Sequence, residues 1–117
     1  MPDQEEVLAK STLRAAKELQ LTTAQYADVL SGDVPDPNGV NIAEGGARID
    51  PHSERGNRAL RLIQIYQLLY AQTGNNRAAM AHWMHTKNKQ LGSRPVDLVG
   101  TTSGLEQIKA YLESLTS

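Results

Sequence analysis

An all-α fold is predicted from three observations: apolar residues recur at helical spacing, the breaks fall on Gly, Pro or Asn, and no stretch alternates as a strand would. Leu8, Leu13, Ala15, Ala16 and Leu19 set out the first helix over residues 7–21. Lys10, Arg14, Lys17 and Glu18 take its polar positions, and Glu5 and Glu6 sit where the helix dipole favours acid. Thr22 is an N-cap for a second helix over 23–30, whose Tyr26, Ala27, Val29 and Leu30 can face the first, and Gly32 stops it. Residues 32–51 read mostly as loop, because Pro35, Pro37, Gly39, Gly45, Gly46 and Pro51 interrupt every pattern.

Ser53 or a neighbour then caps the longest helix, which runs to about residue 72. Leu60, Leu62, Ile63, Ile65, Tyr66, Leu69 and Tyr70 give it a wide apolar stripe. Gly74, Asn75 and Asn76 end that helix and cap the next, 77–85, which presents Ala78, Ala79, Met80, Ala81, Trp83 and Met84. After a turn at 87–95, Pro95 opens a short helix to residue 99. Thr102 or Ser103 caps a last helix carrying Leu105, Ile108, Leu112 and Leu115. The count is five or six helices and no sheet.

With 117 residues the chain makes one compact domain, or two small helical subdomains sharing a core. It has no cysteine, which excludes disulfides, thiolate metal sites and a cysteine nucleophile. The acidic start is unlike a secretory signal, and no apolar run approaches the roughly 18 residues of a membrane span, so a cytoplasmic location is expected. The net charge of −1 hides an asymmetry: residues 1–50 hold four basic against nine acidic side chains, and residues 51–117 eight against four. Nucleic acid demands a basic face, which the first half lacks.

No residue pattern points to catalysis. His82 and His85 are spaced for metal ligation, but two imidazoles without a Cys or a nearby carboxylate do not make a site. Gly45-Gly46 lacks the Lys-Ser/Thr of a phosphate loop, and no Ser or Thr sits in a nucleophile elbow. No catalytic, cofactor or metal residue is therefore expected. Arg55, Arg58 and Arg61 recur every third residue as one basic ridge, either a solvated face or a surface for an acidic partner. Trp83, the single tryptophan, reads as a core or interface anchor beside Tyr66 and Tyr70.

The run from Trp83 through Asn88, Leu91, Gly92, Pro95 and Leu98 to Val99, followed by Gly104, Ile108 and Leu112, resembles the toxin-binding domain of Xre/MbcA/ParS-type antitoxins. In that family a tryptophan helix leads to an Asn, a Leu-Gly-Gly turn and a Pro-x-x-Leu-Leu helix start. Here Lys87 replaces the usual Pro, Ser93 the second Gly and Val99 the second Leu. Upstream, Leu13 to Ala16 and Leu19 to Thr22 resemble the opening of the family's helix-turn-helix module.

The resemblance implies a helix-turn-helix-like region over residues 1–50, degenerate in its reading element, packed on a toxin-binding helical domain over 51–117. It implies an antitoxin or immunity protein that masks the active site of a RES-type toxin, a class that attacks NAD or transfers ADP-ribose, and complexes with the toxin. The residues it puts at the contact are Trp83, Asn88, Arg94 and the final helix. Lys87 and Lys89 add exposed charge to a turn stiffened by Pro95 and Gly92, and Arg55, Arg58 and Arg61 are further contributors. The alternative is an operator-binding regulator. Against it, residues 34–47, where the recognition helix would lie, contain two prolines, three glycines and no Lys or Arg.

Overall fold

The computed structural model describes residues 4–31 and 49–116, and among these residues there are five α-helices and no named strand. The predicted loop and the Gly32 stop lie outside the described residues for 32–48, as does the segment aligned with a recognition helix. Helix α1 spans Gln4–Glu18, α2 Thr23–Ser31, α3 Glu54–Thr73, α4 Arg77–His85 and α5 Thr102–Thr116, with a single 3-10 turn at Pro95–Asp97. No helix among the described residues is long and apolar enough to cross a membrane.

Local chemistry fixes most boundaries. Helix α1 ends before residue 21 because Gln20 enters the left-handed region at φ 59°. There the Leu21 amide donates to the Ala16 carbonyl at 2.9 Å and the Gln20 amide to the Lys17 carbonyl at 3.0 Å, the two bonds of a Schellman closure. Thr22 and Gln25 then form a reciprocal capping box: the Gln25 amide donates to Thr22 Oγ1, and the Thr22 amide to Gln25 Oε1. Ser53 caps α3 by accepting from the Gly56 amide, Gly74 closes that helix at φ 65°, and Asn76 caps α4 by accepting from the Ala79 amide.

Helix α3 is the axis of the fold. It packs most extensively on α5 and α1 and also touches α2 and α4. Ala59, Leu62, Ile65 and Leu69 along it are fully buried, in one cluster with Leu8, Ala15, Ala16 and Leu19 of α1 and its closing turn, Val29 and Leu30 of α2, Met80 and Met84 of α4, and Leu105, Ile108 and Leu112 of α5. The core thus crosses residue 50 without a break. Tyr26 is buried with its hydroxyl unpartnered, and burial pushes its pKa up to about 12.

The arginine triplet departs from the expected ridge. Arg58 is 7% exposed, and its side chain crosses to the end of α2, where Nε donates to the Val29 carbonyl at 3.0 Å and Nη2 to the Leu30 carbonyl at 2.6 Å. Arg55 Nε adds a longer bond to Leu30, and its guanidinium is pushed below its ordinary pKa by burial and by Arg58. Arg61 pairs with Glu106 of α5 and donates to Gln64. The physical reason is that the last carbonyls of a helix have no partner within it and carry the negative end of its dipole, so a forked cation satisfies both needs. Arg55 and Arg58 therefore serve the end of α2, and Arg61 serves α5.

Arg58→Ala is expected to destabilise the protein by about 2–4 kcal/mol, because the buried Val29 carbonyl would lose its donor and the Leu30 carbonyl would keep only the longer bond from Arg55. Arg58→Lys should recover only part of the loss, since one ammonium cannot reproduce the fork. Urea unfolding of the three proteins measures this; equal midpoints for wild type and Arg58→Ala would refute the clamp.

Candidate functional site

The surface around the end of α4 is built from three segments: the last turn of α3, α4 with the turn that follows it, and α5. Asn88 organises the turn. Its amide donates to the Ser93 carbonyl at 3.0 Å, its carbonyl accepts from the Gly92 amide at 2.9 Å, and its Oδ1 accepts from the amides of Gln90 and Leu91. An Asn suits this place because a short side-chain carbonyl can stand in for a turn's backbone acceptor. Gly92 lies at φ 78°, which glycine adopts without strain. Residues 88–93 form a closed, internally bonded loop whose tip presents Lys89.

Arg94 and Asp97 close the next segment. Arg94 Nε and Nη2 donate to the two carboxylate oxygens of Asp97, both at 2.9 Å, while both side chains remain about half exposed. The hydrogen bond from Arg94 is the main cause that holds the Asp97 carboxyl below its ordinary 3.8, and the same bond raises Arg94. Arg94 is thus a paired cation held in one orientation. Lys87 and Lys89 are exposed and form no ion pair among the described residues.

Trp83 is half-buried and stacks on Tyr111 of α5, with ring centroids 6.2 Å apart and planes 16° from parallel. The expected neighbours, Tyr66 and Tyr70, instead pair edge-to-face with one another at 6.0 Å. This corrects the predicted grouping: α5 lies across from the Trp83 face of α4, a pairing between distant segments that periodicity cannot supply. Trp83 also lines a groove of about 320 Å³, together with Leu69, Ala79, Lys87 and Asn88. Gln72, Thr73, His82 and Thr86 complete the wall.

The sequence reading did not place six of these groove residues at the contact: Leu69, Gln72, Thr73, Ala79, His82 and Thr86. A signal existed, since 69, 72 and 73 share one face of α3, and 79, 82, 83 and 86 recur at i, i+3, i+4 and i+7 along α4. The structure brings Trp83, Lys87 and Asn88 onto the groove and keeps Lys89 and Arg94 on the adjoining turn. Arg55, Arg58 and Arg61 lie on the first turns of α3, whereas the groove uses its last.

Two contacts hold α4 against α1. Arg77 pairs with Glu18 at 2.6 Å, with Glu18 largely buried, and the His85 ring nitrogen Nε2 sits 3.2 Å from the Gln20 carbonyl. The last helix is capped by Thr101, whose hydroxyl accepts from the Gly104 amide at 2.8 Å, one residue before the expected Thr102 or Ser103. A Cβ on Gly104 would lie 1.9 Å from the Leu98 carbonyl oxygen, so only glycine lets the start of α5 approach the 3-10 turn this closely. Among the described residues no group of three or more His, Cys, Asp or Glu converges as metal ligands would.

Residues 68–117 match the family model described as the antitoxin Xre/MbcA/ParS C-terminal toxin-binding domain. The matched segment begins inside α3 and contains the whole groove, the turn and α5. The match supports an antitoxin function and a toxin as partner. No curated protein matches the chain.

Gly104→Ala is expected to cost at least about 2–3 kcal/mol, because a backbone oxygen cannot move aside as a flexible side chain can. Thermal unfolding tests it, and an unchanged melting temperature would mean that the approach is not rigid. A second expectation concerns pH. Asp97 is more acidic folded than unfolded, so its stabilisation is complete above about pH 4 and disappears as the pH falls through the lowered folded value. Protection of the turn amides, taken relative to their intrinsic exchange rates, should therefore fall below about pH 4 in wild type and show no such step in Asp97→Asn.

Proposed function

We propose that this chain, whose C-terminal segment matches an antitoxin toxin-binding domain, is a cytoplasmic antitoxin or immunity protein that neutralises a RES-type toxin by covering its active site. The observation that carries the reading is the coincidence of the matched segment with a preshaped surface: a groove lined by Trp83, next to a turn with internal hydrogen bonds. Inhibition of this kind needs no chemistry from the inhibitor. It needs a rigid face that excludes substrate, and rigidity lowers the entropy lost on docking. In this reading residues 51–117 act as the toxin-binding domain and 1–50 as a helix-turn-helix-like region.

The contact we propose comprises Trp83, Lys87, Asn88, Lys89 and Arg94, with the exposed side of α5. Lys87 and Lys89 would meet acidic side chains of the toxin around its cleft. Asn88 acts by holding the loop's shape. Arg58 is assigned to the scaffold, because a guanidinium spent on two carbonyls at the end of α2 is not available to a partner. Arg55 and Arg61 belong to the same end of α3 and leave the proposed contact with it.

Co-expression with an adjacent RES-domain reading frame, scored by growth, tests the proposal: wild type should restore growth, and failure to rescue any such toxin would overturn it. Lys87→Glu and Lys89→Glu should each weaken toxin binding by well under about 1 kcal/mol at a solvated rim. Arg94→Glu should weaken it more, because it also faces Asp97 with a like charge and releases the turn. Calorimetry against purified toxin gives these values, and unchanged affinity in all three would move the site elsewhere.

A further inference from the structure

The groove at Trp83 has an unequal supply of bonding groups. Its apolar lining comprises Leu69, Ala79 and the indole, which itself stacks on Tyr111. Most polar groups on its wall are already engaged. Gln72 Nε2 donates to the Leu112 carbonyl, Thr73 Oγ1 to the Leu69 carbonyl, Thr86 Oγ1 to the His82 carbonyl, and Asn88 Oδ1 accepts from two amides. Three side-chain groups have no hydrogen-bond or ion-pair partner among the described residues: the Lys87 ammonium, the exposed His82 imidazole and the Trp83 indole N–H. No Asp or Glu lines the groove.

From this accounting we infer that the groove is the receptor for an acidic–aromatic segment of the partner, an aromatic side chain seated on Trp83 with a neighbouring carboxylate on Lys87. The inference rests on the antitoxin reading for the identity of the partner and assigns the direction of insertion: the toxin places a side chain into this chain. An aromatic ring is favoured against Trp83 because an indole face, fixed by stacking, offers offset packing to a second ring, and about 320 Å³ accommodates one. A carboxylate is favoured beside Lys87 because the groups without a partner can donate, and a basic partner would leave Lys87 facing a like charge. His82 offers the same carboxylate a second hydrogen bond.

Heteronuclear NMR of the full chain tests the inference without the toxin, using the amides of N-acetyl aspartyl-phenylalanine, lysyl-phenylalanine and aspartyl-alanine as probes. The aspartyl-phenylalanine probe should shift the Trp83 indole signal and the Thr86–Asn88 amides saturably. The lysyl-phenylalanine probe should bind about two- to fivefold more weakly, the scale of one exposed ion pair, and the alanine probe should not saturate. Lys87→Glu, an exposed change that leaves the fold intact, should reverse the preference between the acidic and basic probes. Absence of saturable shifts, equal binding of both charged probes, or a preference unmoved by Lys87→Glu would each overturn the inference. So would shifts at the same residues that depend on protein concentration alone, since these would make a second copy the occupant. Ala79→Phe fills the groove and separates the two readings: it should lose probe binding and neutralise the toxin less well. Full neutralisation by Ala79→Phe would sink the groove and leave the antitoxin function standing, whereas failure of wild type to neutralise would sink that function and leave the probe result to decide the groove.

Discussion

The fold depends on a single buried cation. α2 is nine residues long, a length at which an isolated helix is unstable in water, and its carbonyl end is turned toward α3 instead of solvent. Arg58 makes that orientation tenable by supplying directed donors where the peptide dipoles need them. Its neighbour Glu54 lies 3.7 Å from Nη1 and is itself exposed, so the helix end, and not a carboxylate, is the main counterpart of the charge. With α2 fixed in this way, Val29 and Leu30 enter the same core as Leu62 and Ile65, and the two halves of the chain become one packed body.

How much of this was legible in the sequence follows from the range of the interactions. Caps and closures act over three to five residues, and there the reading was good: Thr22, Ser53, Gly74 and Asn76 sit where their chemistry predicts, and α4 begins and ends at the expected residues. The end of α1 was missed because a left-handed Gln20 is uncommon, and sequence alone prompts a search for Gly or Asn at such a place. The larger differences are tertiary. Arg58 finds its partners 28 and 29 positions away, and Trp83 finds Tyr111 on another helix. Periodicity tells which face a residue is on, but not what arrives opposite it.

The same distinction applies to the candidate site. A basic turn was visible as Lys87, Lys89 and Arg94, yet counting charges overstated its strength, because Asp97 cancels Arg94 at short range while leaving it rigid. The remaining two lysines are solvated, where salt screens their field over about 8–10 Å. Shape therefore has to supply most of the discrimination, and the shape lies in a groove drawn from α3, α4 and the start of the turn, segments that no local motif joins.

The continuity of the core has a consequence for truncation. Removing the first helices to obtain a minimal binding fragment would strip α1 from one side of α3 and break the Glu18–Arg77 and Gln20–His85 contacts beneath α4. The fragment would present a broad apolar stripe to water, the kind of surface by which proteins aggregate. The N-terminal helices thus have a reason to persist that is independent of any nucleic acid: they cover the apolar side of the helix in which the matched segment begins.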